Sequence, residues 1–108
     1  MLFSQYQQKA YETAVYPEKY MIIYPALALA EEAGEVAGLV GKALRDCNGE
    51  LDAERKARVS KELGDVLWQL AAVATDCELN LDDIAYENLE KLAKRKKEGK
   101  LHGEGSDR

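Results

Sequence analysis

Glu31-Glu32-Ala33-Gly34-Glu35 and Glu62-Leu63-Gly64-Asp65 are the stretches on which the reading of this chain turns. Each sets two acids three residues apart, Glu32 with Glu35 and Glu62 with Asp65. On a helix such pairs leave from nearly the same face. Two helices carrying them side by side would gather an oxygen-rich cage. Carboxylate oxygens suit Mg²⁺ or Mn²⁺ rather than soft metals. Without a cation the same charges would repel one another.

Most acids on helices face water, and a lone pair of this spacing means little. Helical phase argues otherwise here. The apolar stripe of the helix around Glu32 is Leu29, Ala33, Val36, Leu39, Val40 and Ala43. At about 100° per residue Glu32 falls inside that stripe, Glu35 at its edge and Glu31 further round. The helix around Glu62 has the stripe Val59, Leu63, Val66, Leu67, Leu70, Val73 and Ala74. Glu62 borders it, and Asp65 lies one turn on along the same side. A carboxylate on a core-facing surface is costly unless paired, protonated or metal-bound. Gly34 and Gly64, each beside an acid, cost about 1 kcal/mol of helix propensity relative to alanine. Tight helix packing or ligand access is the expected reason. Neither acid pair carries the histidine of a bundle di-iron site, so an all-oxygen site serving a phosphate substrate remains.

Outward from these segments the chain is expected to be all-α. It forms a bundle of about four helices in one domain over residues 1–98, with a Gly-rich non-helical tail over 99–108. A first helix runs from about Phe3 to Val15 and stops before Pro17. Tyr16 to Tyr24 form a connector. Pro25 fits the first turn of a second helix ending near Asp46. Asn48-Gly49 breaks the chain, and a third helix spans about Asp52 to Cys77. Asn80 looks like the N-cap of a fourth helix, with Asp82 and Asp83 in its first turn, ending near Glu98.

The 108 residues bury a possible but thin core, so completion of the bundle by a second copy is expected. A charged content of 32% beside 46% hydrophobic residues fits a folded helical protein rather than a disordered one. A net charge of −5 disfavours nucleic acid as a partner. Cys47 and Cys77 form no CxxC and His102 is the single histidine, which argues against zinc and for reduced thiols. The N-terminus has no apolar signal-peptide run and no segment is long enough to span a membrane. A cytoplasmic location is expected.

Asn88, Lys91 and Arg95 are spaced three and four apart on the last helix, which puts an amide and two cations on one face. Near an acidic metal cage they would suit a polyphosphate. The alternative is a solvated, dipole-favoured basic end. Among the aromatics, Trp68 stands three residues past Asp65 and has the best claim to stack on a base. Most of the tyrosines are expected in core or interface.

The combined pattern resembles the MazG-like family of all-α nucleoside triphosphate pyrophosphohydrolases. It reads Glu31-Glu32-x-x-Glu35, then residues 36 through 61, then Glu62-x-x-Asp65. The similarity extends to Tyr6-Gln7 with Ala10 and Thr13, to Lys42-x-x-Arg45-Asp46, to Lys61 through Trp68, and to Asn88-x-x-Lys91-Leu92-x-x-Arg95. The resemblance implies Mg²⁺-dependent cleavage of a (d)NTP between the α and β phosphates, giving (d)NMP and pyrophosphate, in a house-cleaning role on non-standard nucleotides. It implies metal binding by Glu32, Glu35, Glu62 and Asp65, with Glu31 and Glu35 as catalytic acids and Glu31 orienting water. Asn88, Lys91 and Arg95 would meet the phosphates. A homodimer or dimer of dimers, with the second and third helices packing across the interface, follows from the same resemblance. The family ending GxGDxR departs here to Gly103-Glu104-Gly105-Ser106-Asp107-Arg108, and Gln69 stands where many relatives have an aromatic. A metal-dependent nucleotide-binding regulator with little turnover, and a plain helical interaction module, are the competing readings.

Overall fold

The computed structural model describes residues 1–99. Its elements are α1 (Phe3–Tyr11), a single 3₁₀ turn (Glu18–Tyr20), α2 (Ile23–Cys47), α3 (Ala53–Asp76) and α4 (Leu81–Lys97). No strand occurs among the described residues. The expected tail, with His102 and Asp107, lies outside them beyond Gly99.

Local chemistry explains the boundaries. Asn48 ends α2 in the left-handed conformation (φ 57°), Gly49 follows at φ 82°, and the Gly49 N–H returns to the Ala43 carbonyl at 3.0 Å. That bond closes a Schellman-type cap. Asp52 then caps α3 by accepting from the Arg55 N–H, and Asn80 caps α4 by accepting from the Asp82 N–H at 2.7 Å, as its position predicts. The short turn folds α2, 25 residues and about 37 Å long, back along α3. On another side α1 packs against α3 and α4.

α1 is shorter than the sequence suggests, ending at Tyr11 rather than Val15. Tyr11 and Tyr16 both turn their hydroxyls onto one carboxylate, Asp76. A helix continued to Val15 would not bring the two rings to the same point, and Pro17 already disfavours helix at Tyr16.

Within one chain the core is slight. Among the described residues its buried apolar side chains are Ala43, Ala71, Ala72, Ala74 and Leu81, and Pro25 is fully buried as well. The radius of gyration is 16.6 Å, against about 13 Å for a close-packed chain of this length. The apolar stripes are correspondingly half used. Leu63 is 51% exposed while Glu62 next to it is half-buried, and Val40, Ala33 and Leu70 are also exposed. The close approach expected at Gly34 and Gly64 is absent among the described residues, since a Cβ at either would meet nothing within 4 Å. Each long helix therefore has one side covered by the chain itself and another left open.

Candidate metal centre

α2 and α3 bring Glu32, Glu62 and Asp65 together. One carboxylate oxygen from each lies within 4.8 Å of the others. Glu32 and Glu62 are half-buried and Asp65 is exposed. The i, i+3 spacing on α3 presents Glu62 and Asp65 to the same point, and the packing of α2 against α3 supplies Glu32 from across the groove. The Glu32 carboxyl is pushed above the usual carboxylate range. Loss of solvent is the first cause, followed by the charge of Asp65, a hydrogen bond shared with Glu62, and the charges of Glu62 and Glu31. No cation of the chain appears among these causes. Three hard oxygen donors converging on one point are a donor set that could hold a Mg²⁺- or Mn²⁺-type ion.

Of the other acids singled out in the sequence, Glu35 and Glu31 are exposed on α2 and stand outside the close trio. Tyr6 of α1 is near enough to Asp65 for the carboxylate to help hold its phenol above the usual range, after the larger effect of desolvation. The basic group of α4 is divided. Asn88 and Lys91 are exposed and share a shallow cavity with Ile84 and Glu87, whereas Arg95 is 5% exposed. The single face expected for the three side chains is thus not presented as one open surface. Trp68 is half-buried, and its indole N–H donates to the Ala10 carbonyl at 3.1 Å and to Thr13 Oγ1 at 2.8 Å.

Two residues that anchor this frame were not prominent in the sequence. Gln7 is buried; its Nε2 donates to Thr75 Oγ1 and the Leu79 carbonyl, and its Oε1 accepts from the Leu81 N–H. It closes the α3–α4 turn against α1. Asp76, also buried, accepts from both tyrosine hydroxyls and from the Ile22 N–H at 2.8 Å. Ile22 sits at φ 68° and ψ −54°, and the Ile23 N–H reaches back to the Met21 carbonyl at 2.7 Å. That is a γ-turn of the rarer hand, strained for a β-branched residue. Burial raises the Asp76 pKa, but the Ile22 amide and the two hydroxyls more than offset it, leaving the group below the usual value. An acid in the last turn of a helix opposes the macrodipole, and that mismatch was the available signal.

The comparisons with known proteins come to the same region of the chain. A relative from Mycobacterium phage L5, named Gene 37 protein, is 37% identical over 109 residues, covering 95% of this chain and 96% of its own. No solved structure matches. The MazG nucleotide pyrophosphohydrolase domain matches residues 25–99, which include all three acids of the cluster and the whole of α3 and α4. The chain belongs to the MazG nucleotide pyrophosphohydrolase domain family.

Proposed function

We propose that this protein is a divalent-cation-dependent nucleoside triphosphate pyrophosphohydrolase, converting (d)NTP to (d)NMP and pyrophosphate and acting in the cytoplasm on non-standard nucleotides. The observation that carries this reading is the convergence of Glu32, Glu62 and Asp65 from two helices, none of them in an ion pair among the described residues. Glu32, Glu62 and Asp65, joined by Glu35 one turn along α2, would hold Mg²⁺ or Mn²⁺. Such an ion supplies charge neutralisation for the triphosphate and makes water more acidic. Glu31 and Glu35, exposed beside the trio, orient the attacking water and take its proton. Asn88 and Lys91 donate to phosphate oxygens. Arg95, one turn on along the same face of α4 and buried in the single chain, would join them. Trp68, its N–H already engaged, offers a ring face to the base.

The active form is a homodimer or a dimer of dimers. The support is the expanded radius of gyration, the small core, and apolar side chains left exposed on α2 and α3, among them Leu27, Val40, Leu44, Leu63 and Leu70. A second copy of this chain would cover those faces and bring the exposed Gly34 and Gly64 backbones into contact. A monomer by light scattering at micromolar concentration would overturn this part.

The activity is tested by incubating the protein and Mg²⁺ with ribo-, deoxy- and modified triphosphates and separating products by ion exchange. Monophosphate with pyrophosphate is expected. Diphosphate with phosphate would put the attack at the γ phosphate and sink the proposal. No turnover with either Mg²⁺ or Mn²⁺, but metal-dependent nucleotide binding, would make the protein a nucleotide-binding regulator instead.

A further inference from the structure

α2 and α3 meet along a seam that the spacing of their covered residues marks out. On α2 it runs through Pro25, Leu29, Glu32, Val36, Leu39 and Ala43, and on α3 through Val59, Glu62, Val66, Gln69, Val73 and Asp76, all of them buried or half-buried. Steps of three and four residues alternate on both helices, which is the repeat of a coiled-coil seam. Apolar members of such a seam are alike in kind, so they hold α2 against α3 without strongly fixing how far it slides. Polar members fix register, because each must find its own partner. Glu32 and Glu62 are two of these, and both belong to the acid trio. Asp76 is another. It stands apart from the trio and grips the start of α2.

Asp76 accepts from the Ile22 N–H at 2.8 Å. The bond shared by Glu32 and Glu62 aside, no other hydrogen bond joins α3 to α2 or its cap residue among the described residues. The Asp76 carboxylate sits at the positive end of α2 and holds Ile22 at φ 68°, a conformation that a β-branched residue leaves when released. Glu32 follows Ile22 by ten residues and Asp65 precedes Asp76 by eleven, about 15 and 16 Å along the two helix axes. These matching arms set the acids opposite one another. The turn at Asn48-Gly49, which ties the helices at their other end, is about 24 Å from Glu32 along α2. Between the two ties the three carboxylates repel one another and work to part the helices. Asp76 opposes that from the nearer end.

We propose that Asp76 is a positioning residue for the cation site: through Ile22 it holds α2 in the register at which Glu32 meets Glu62 and Asp65. The proposal rests on the cation-dependent reading of those acids given above. Without the Asp76 carboxylate Ile22 relaxes to negative φ, the first turn of α2 shifts, and Glu32 leaves the point where the three oxygens converge. A slip of one residue moves a side chain by about 1.5 Å along the axis and about 100° around it. The cation then finds only a fraction of the molecules in the competent arrangement, and its apparent affinity falls by that fraction. Tyr11 and Tyr16 donate to the same carboxylate but lie outside α2. Loss of one of their hydroxyls weakens the connector without freeing Glu32.

The measurement is Mn²⁺ affinity without nucleotide, read from the loss of the free-ion electron paramagnetic resonance signal as the full chain is titrated. The parent, Asp76→Ala, Asp76→Asn, Gln7→Ala and Tyr16→Phe are compared at a temperature where circular dichroism shows each one folded. Gln7 is buried like Asp76 and ties α1 to the α3–α4 turn, but it makes no hydrogen bond to α2. Gln7→Ala therefore loses buried hydrogen bonds while keeping the tether. The Mn²⁺ dissociation constant should rise about tenfold or more in Asp76→Ala and stay within about twofold of the parent in Gln7→Ala and Tyr16→Phe. Asp76→Asn keeps one acceptor for the Ile22 N–H and should fall between, with a rise of about threefold. Should the alanine variant fail to fold, the asparagine variant carries the test. Parent-like affinity in the Asp76 variants, or equal weakening in Gln7→Ala, would overturn the inference and leave the metal centre in place. A parent chain that binds no Mn²⁺ would overturn both.

Discussion

α3 carries acids in two settings about 11 residues apart, and they behave oppositely. Asp76 is buried and satisfied from within the chain, by two tyrosine hydroxyls and the Ile22 amide, and its pKa lies below the usual value. Glu62 and Asp65 meet Glu32 across the groove, none of them ion-paired among the described residues, and the Glu32 carboxyl is held above its usual value. Both arrangements remove charge from water. One is compensated by donors the fold supplies, and it fixes the strained entry to α2. The other could take its compensation from a cation in solution. A carboxylate that the chain satisfies is architecture, and a cluster that the chain leaves uncompensated is a place for a ligand.

The sharpest way to break this contrast is to remove one charge from the cluster. Asp65→Asn, and likewise Glu35→Gln, should lower turnover with Mg²⁺ by on the order of 10³-fold, the several kcal/mol that a catalytic cation contributes. Helix content by circular dichroism should be unchanged, and the melting temperature of Asp65→Asn without metal should not fall. Retained activity in either variant would remove that residue from the site.

The converse substitution falls on the architectural acid. Asp76→Ala leaves two hydroxyls and an amide without their acceptor and should cost about 3 kcal/mol of stability in denaturant titrations. The pH dependence follows from the lowered native pKa. The stabilisation from Asp76 is fully present above pH 3.8, its ordinary value, and is lost as the pH falls through the depressed native value below that. Acid melts of Asp76→Asn should lack this component. A variant as stable as the parent would erase the distinction between the two settings.

Metal binding measures the cluster from the other side. At a hundredfold excess over its dissociation constant, Mg²⁺ should raise stability by about 2.7 kcal/mol, and Glu32→Gln should lose most of that gain. Equal stabilisation in Asp76→Asn would show that the two sites are independent. The smallest effect is expected at a third charged position on α3, the Arg58–Glu54 pair, joined at 2.8 Å with both side chains more than half exposed. Glu54→Ala should change stability by less than about 0.5 kcal/mol, because water screens what the pair gains. A larger loss would mean that exposed charge matters here more than burial does.

The sequence was most legible where a rule acts locally. Asn80 as a cap, Asn48-Gly49 as a breaker and the four helices follow from side chains meeting their own backbone within a few residues. Glu32, Glu62 and Asp65 were legible because acids in phase with an apolar stripe are expensive. The stripes themselves misled. Leu63 and Leu70 share helical phase with Val66 and Val73, yet they are exposed, because the described residues leave that side of α3 open. Asp76, the strained Ile22 and the bridging role of Gln7 stayed hidden, since each depends on partners more than 50 residues away.

By itself, then, the sequence determined that this protein is helical, where its helices stop, and that an acidic pair sits on each of two helix faces. These are consequences of periodicity and of short-range hydrogen bonding. Only the tertiary structure decided which acids meet, that Glu35 stands apart from the trio, and that Arg95 is buried while Lys91 is open. Helical phase fixes the direction of a side chain about its own axis. What lies in that direction depends on where another helix was set down, and that is settled by packing over the whole chain.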